Sequence, residues 1–224
     1  KGEADHSTYS KRAMAKDIAS LMSHLGHEQF HISGHDRGGR VTHRLCLDHA
    51  PRVQSACVID IAPTLDMYNA TNMAFASAYY HWFHLIQPFP LPEKMIGGNP
   101  IHYLHTKLGG WGAKGLSHLE PEALAEYERC FSEETIHTVC EDYRASASID
   151  LVHDRESRAK GEKIACKLKV LWGDQGVIQK MFDPITLWQA QCHEKVTGKA
   201  MPSGHFIPEE LPIEIANELS AFHN

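Results

Sequence analysis

The sequence predicts an α/β protein: a mostly parallel sheet flanked by helices, interrupted by a helical insertion. Three observations predict it. Short apolar runs alternate with segments of three- and four-residue periodicity. A Gly-x-Asp-x-Gly turn links the first strand candidate to a helix. Residues 65–158 carry helical patterns and loop punctuation but little strand signal.

The elements follow in order. From Ser10 to Leu25, Met14, Ile18, Leu21, Met22 and Leu25 recur on one helical face, and Gly26 supplies the stop. Gln29–Ser33 reads as a short strand leading into Gly34-His35-Asp36-Arg37-Gly38-Gly39-Arg40. A helix then runs from Gly38 to His49, ended by Pro51. Val53–Ile59 is a buried strand with Asp60 at its C-terminal edge. Lys167–Trp172 is another, followed by Gly173-Asp174, and Lys199–Met201 is a last short one ahead of Gly204-His205. Glu209–Phe222 reads as a helix with an acidic first turn. The core is therefore expected over residues 1–64 and 159–224, with residues 65–158 as a cap over the C-terminal edge of the sheet, where open α/β folds bind ligands.

Composition narrows the function. The 224 residues suffice for one large domain or two small ones, and 42% hydrophobic with 22% charged residues exclude disorder as the main state. A net charge of -6 argues against nucleic-acid binding, which needs a basic face. No apolar run approaches a membrane span. The six cysteines form no CxxC pair, so they read as buried thiols in a reducing cytosol. His81/His84 and His102/His105 have helical spacing suited to a metal, but no carboxylate cluster accompanies them, so no metal is expected. No Gly-rich dinucleotide or phosphate loop is present, so no cofactor is expected.

Gly34-His35-Asp36-Arg37-Gly38 fits the elbow that holds a nucleophile between a strand and a helix N-terminus, with Asp where Ser is commoner. The bland alternative is a Gly-rich loop with a capping Asp. Asp60 at the next strand's end and His205 after the last strand complete the chain order nucleophile, acid, histidine; Asp174 is a rival acid. An Asp nucleophile is already ionised at neutral pH. It suits displacement of a leaving group from saturated carbon, followed by ester hydrolysis through histidine-activated water.

His35-Asp36-Arg37-Gly38-Gly39-Arg40, Asp60-Ile61-Ala62-Pro63-Thr64, His81-Trp82, Gln87-Pro88-Phe89-Pro90-Leu91-Pro92-Glu93-Lys94 and Cys140-Glu141-Asp142-Tyr143-Arg144 together resemble the fluoroacetate (haloacetate) dehalogenase family of the α/β-hydrolase fold. The resemblance implies Asp36 as nucleophile, His205 as base oriented by Asp60, and Arg37 with Arg40 gripping the substrate carboxylate. Helix-surface solvation is the competing reading of the two arginines. It also implies His81, Trp82 and Tyr143 as donors to the departing halide, whose charge needs preorganised N–H and O–H groups. Tyr79, Tyr80 and Phe83 read instead as a core stripe.

The substrates implied are a small haloacid and water, in a cytoplasmic homodimer joined through the insertion. Family members begin with further strands and a His-Gly-x-Pro segment that helps form the oxyanion hole. Neither occurs here, so an N-terminally incomplete sheet and weak activity of this chain alone are expected, with the Arg37 N–H as the remaining oxyanion donor. Two rivals stand beside this reading. One is an epoxide hydrolase using Tyr143 with Tyr68, Tyr80, Tyr103 or Tyr127; the other is a truncated, non-catalytic remnant.

Overall fold

The computed structural model describes residues 4–113 and 115–224. Residues 1–3, at the start of the expected core, and Lys114, in the expected cap, lie outside it. Four strands form one parallel sheet in the order β1 (Phe30–His35), β2 (Val53–Ile59), β3 (Lys167–Gly173) and β4 (Thr197–Met201). Parallel neighbours need crossovers, and the helices supply them. Helix α1 (Lys11–His24) precedes β1, and α2 (Arg37–Asp48) joins β1 to β2.

Between β2 and β3 the elements among the described residues are all helices: α3 (Thr64–Asn69), α4 (Met73–Ala78), α5 (Tyr80–Leu85), α6 (Leu91–Gly97), α7 (Pro100–Leu108), α8 (Pro121–Cys130), α9 (Glu133–Ser146) and α10 (Ile149–Ala159). Helices α11 (Val177–Met181) and α12 (Pro184–Gln189) carry the chain to β4, and α13 (Ile207–Glu210) and α14 (Pro212–His223) end it.

The central strands β2 and β3 are covered on both faces, and their side chains alternate accordingly, whereas the edge strands β1 and β4 expose His31, Ser33 and residues 197–200. Ala56 and Val58 with Leu168 and Val170 join the larger core cluster. Cys57 and Ile59 with Leu171 and Met201 turn to the other face and meet Ile207 and Ile215 from α13 and α14. The register pairs Val58 with Val170 and Ile59 with Leu171, so both faces are continuous across strands.

The element boundaries differ from expectation in several places, and strand β1 runs Phe30–His35 rather than Gln29–Ser33. Helix α2 opens at Arg37, directly after the nucleophile position. Strand β4 opens at Thr197 rather than Lys199. The expected single C-terminal helix is two helices broken at Leu211, because the Pro212 ring clashes with a preceding helical turn and is accommodated only at the first position of a new one. Tyr80 departs from the expected core stripe: it is 49% exposed, whereas Tyr79 is buried. No helix among the described residues is long and apolar enough to cross a membrane.

Candidate active site

The site forms where β1, β2 and the segments after β3 and β4 end together. Asp36 has φ 47° and ψ -114°, outside the favoured regions for an L-residue, so the turn stores strain at this carboxylate. Its N–H donates to the Ile59 carbonyl and its carbonyl accepts from the Gly39 N–H, both at 3.0 Å. The side chain makes no capping bond to α2, which sets aside the reading of Asp36 as a structural cap.

The glycines are needed for clearance, but not symmetrically. A Cβ on Gly34 would lie 2.3 Å from the Gly38 oxygen, and one on Gly39 would lie 2.6 Å from Ile61 Cγ2; a Cβ on Gly38 would meet open space. The close approach that the elbow requires is therefore made by Gly34 and Gly39, and Gly38 takes part through its backbone.

His205 stands between two carboxylates. Its Nδ1 lies 2.6 Å from Asp60 Oδ2 and its Nε2 lies 3.7 Å from Asp36 Oδ2. Asp60 is buried, and its second oxygen accepts the Gly173 N–H at 3.0 Å, which fixes the carboxylate plane. The rival Asp174 is exposed, and its backbone N–H donates to Met201. Burial opposes the imidazolium, but Asp36 and Asp60 outweigh it and raise the His205 pKa to about 10. Burial likewise opposes ionisation of Asp36; the facing His205, then His35 and Arg37, prevail and hold its carboxyl well below the usual range.

Both arginines lie against the site rather than on a solvated helix surface. Arg37 stacks 3.8 Å over the Tyr143 ring. Its Nε pairs with Asp142, while Nη2 donates to the Asp142 carbonyl at 3.0 Å and to Ser146 Oγ at 2.9 Å; Nη1 is buried without a partner. Arg40 is buried and stacks 4.3 Å over Trp82. It donates weakly to Thr64 Oγ1 at 3.4 Å, its Nε has no partner, and no carboxylate among the described residues pairs with it. A buried guanidinium in that condition is costly unless an anion joins it.

A small cavity of about 240 Å³, mouth included, is lined by Asp36, Met67, Tyr79, His81, Trp82, Trp111, His205 and Ile61. His81 Nδ1 is buried and unpartnered. Burial, with the Lys107 charge behind it, pushes the His81 pKa down to about 3, so its imidazole is a neutral donor at pH 7. The Tyr143 ring lies 5.6 Å from that of His81. Of the other tyrosines, Tyr68 lies against Trp82 with the rings tilted and its hydroxyl buried and unpartnered, Tyr103 stacks on Phe131, and Tyr127 donates to Glu209.

Four contributors were not singled out from sequence. His35 Nε2 bonds to the His205 carbonyl at 2.8 Å, and the Trp111 carbonyl accepts the His205 N–H at 3.0 Å. Trp111, at φ 55°, also walls the cavity; its place in Gly109-Gly110-Trp111-Gly112, a bulky ring among glycines, was the available signal. Asp142 holds Arg37 and the buried Lys11 together. Arg144 pairs with Glu93 at 2.7 Å and donates to the Gln87 carbonyl at 2.6 Å, tying two of the recognised motifs into one scaffold.

A parallel sheet, a strained Asp36 backbone at the strand-to-helix turn and an Asp–His pair behind it define an α/β hydrolase fold with a carboxylate at that turn. The alpha/beta hydrolase fold family matches residues 1–107. A fluoroacetate dehalogenase from Burkholderia sp. is 40% identical over 99% of this chain and 72% of its own length. A soluble epoxide hydrolase from Corynebacterium sp. (strain C12) is 27% identical over 91% of this chain and 70% of its own. A solved structure from Nostoc sp. PCC 7120, assigned to the α/β hydrolases, superposes with TM-score 0.95 at 50% identity, covering 99% of this chain and 75% of that one. One from Pseudomonas aeruginosa, assigned to the epoxide hydrolases, gives 0.90 at 37%, covering 96% and 71%. The chain belongs to the fluoroacetate dehalogenase family, hydrolases that act on carbon–halide bonds.

Proposed function

We propose that this chain hydrolyses a small 2-haloacid, fluoroacetate or another haloacetate, to glycolate and halide. The observation that carries the reading is Arg40, a buried cation with no carboxylate partner, beside a second buried and unpartnered guanidinium nitrogen on Arg37. Two such groups next to a nucleophile favour an anionic substrate. The small cavity beside Asp36 favours a small substrate.

In the first step an Asp36 carboxylate oxygen attacks the halogen-bearing carbon. The new C–O bond forms as the C–halogen bond breaks, and the halide leaves toward His81, Trp82 and Tyr143. Arg40 and Arg37 Nη1 hold the substrate carboxylate and so aim the reacting carbon. The ester removes the Asp36 charge, one of the two anions that keep His205 protonated, so the imidazolium releases its proton. Neutral His205 then takes a proton from water, and the hydroxide adds to the Asp36 carboxyl carbon. The Arg37 backbone N–H, at the free N-terminus of α2, stabilises the resulting oxyanion. On collapse the bond between the Asp36 carboxyl carbon and the glycolate oxygen breaks, the His205 imidazolium protonates the departing oxygen, and the added hydroxyl gives its proton back to His205, which frees glycolate and regenerates the Asp36 carboxylate.

Residues 65–158 act in this reading as the cap, supplying the halide donors. Phe89, Leu91 and Met95, all more than half exposed on that segment, support a homodimer through it; analytical sedimentation at micromolar concentration tests that point, a monomer opposing it. The epoxide reading rests on Tyr68 and Tyr143, whose hydroxyls would polarise an epoxide oxygen, but it leaves the arginines facing a neutral substrate. Intact mass of a His205→Asn variant after incubation with fluoroacetate tests the proposal. A stalled adduct on Asp36, with one fluoride released per site, is expected. No adduct, or one formed only with a neutral epoxide, contradicts it.

A further inference from the structure

Away from the site, the thiols of Cys46 and Cys166 lie 4.0 Å apart. Cys46 is fully buried near the C-terminal end of α2, the helix whose first turns carry Arg37 and Arg40. Cys166 is partly buried and lies just ahead of β3, outside any helix or strand. A third thiol, Cys192, comes to the same corner through an isolated bridge with Ile164, where the Ile164 N–H donates to the Gln191 carbonyl at 2.8 Å.

We propose that Cys46 and Cys166 are a modification site: a peroxide-class oxidant converts them to a reversible disulfide that clamps the end of α2 to the root of β3. Three features support this. The sulfurs need approach by only about 2 Å to reach bonding distance. That movement is available to Cys166 because no sheet ladder bond holds it. The two thiols also differ in access, with the more open one placed to meet the oxidant and the buried one placed to resolve it. The hydrogen bond with Cys46 lowers the Cys166 pKa and correspondingly raises that of Cys46, which favours the thiolate on the accessible sulfur.

The chemistry balances. The Cys166 thiolate attacks one peroxide oxygen, the O–O bond breaks, and protonation yields a sulfenic acid and one water. Cys46 then attacks the Cys166 sulfur; the S–S bond forms, the S–O bond breaks, and a second water leaves. Two thiols are oxidised and one peroxide is reduced.

The test treats the protein with graded hydrogen peroxide, alkylates the remaining thiols, and maps peptides by mass spectrometry. Exposed Cys130 serves as the internal measure of oxidant dose. A Cys46–Cys166 cross-link is expected, about 2 Da lighter than the two thiols and reversed by dithiothreitol. The guanidinium unfolding midpoint shifts upward with it, since the bond closes a loop of 120 residues. Cys166→Ser abolishes both changes and Cys192→Ser retains them. A cross-link to Cys192 instead, sulfinic acid on Cys166 with Cys46 still reduced, or no cross-link at a dose that oxidises Cys130, overturns the proposal.

Discussion

Replacing Arg40 with methionine should make the protein more stable and a poorer enzyme. Methionine keeps the apolar stem of the side chain but is shorter, and it removes the charge together with the guanidinium stacked on Trp82. Arg40 is 3% exposed, its guanidinium makes only two long hydrogen bonds, to Thr64 Oγ1 at 3.4 Å and Met67 Sδ at 4.0 Å, and it has no carboxylate partner among the described residues. An ion taken out of water carries an effective penalty of several kcal/mol. Stacking on Trp82 at 4.3 Å offsets about 1–2 kcal/mol of that. The substitution should therefore stabilise the empty protein by roughly 1–3 kcal/mol, a rise in Tm of about 2–12 °C for a chain of this size.

The substrate carboxylate loses a charge-assisted hydrogen bond worth about 1.5–3 kcal/mol. KM for fluoroacetate should then rise about 10- to 150-fold, with a smaller effect on kcat where ground and transition states use the bond equally. Calorimetry and fluoride-release kinetics on the same preparation supply both numbers. A variant that melts lower, or that keeps its KM, refutes the argument that Arg40 is an unpaired cation held for an anionic substrate.

Asp142→Asn should weaken haloacid binding by releasing Arg37. It should also destabilise the fold by about 3–5 kcal/mol, since Lys11 and Arg37 lose a shared carboxylate; urea melts and KM test the two effects. Gly34→Ala should prevent folding or activity, because its Cβ has no room, whereas Gly38→Ala should fold normally; circular dichroism of the two variants decides. The pH dependence has two parts. His205 titrates at about 10 when folded and near 6.5 when unfolded, so its stabilising contribution is complete below 6.5 and fades as pH rises through 10, visible as a falling Tm. Esterification of Asp36 lowers that value, so kcat limited by hydrolysis should rise with pH through a pKa below 10, and NMR of Asp36→Asn should show His205 titrating lower than in the native protein.

The elbow was legible because its requirements are local: a strand, a glycine without room for a Cβ, an acid, and a helix start. The order of Asp36, Asp60 and His205 was legible for the same reason, each standing at a strand's end. What could not be read was pairing across long separations. Nothing near Arg37 in sequence announces that Asp142, 105 residues away, occupies most of its fork, or that Arg40 is left without such a partner. Clearance at Gly39 depends on Ile61, just beyond the end of the next strand, and the wall formed by Trp111 depends on a loop that folds back over His205. Tyr80 and Tyr79 are neighbours in one aromatic run, yet only packing separates the exposed ring from the buried one. At the C-terminus Pro212 was visible, and its local stereochemistry was sufficient to divide the helix.

The central claim is that Asp36 bonds covalently to the substrate carbon and that water attacks the carboxyl group of Asp36 rather than the substrate. A single turnover in oxygen-18 water, with enzyme in excess over fluoroacetate, separates the alternatives. The account predicts the label in the Asp36 carboxylate, found by peptide mass spectrometry, with unlabelled glycolate released. Labelled glycolate and an unlabelled Asp36 would contradict it.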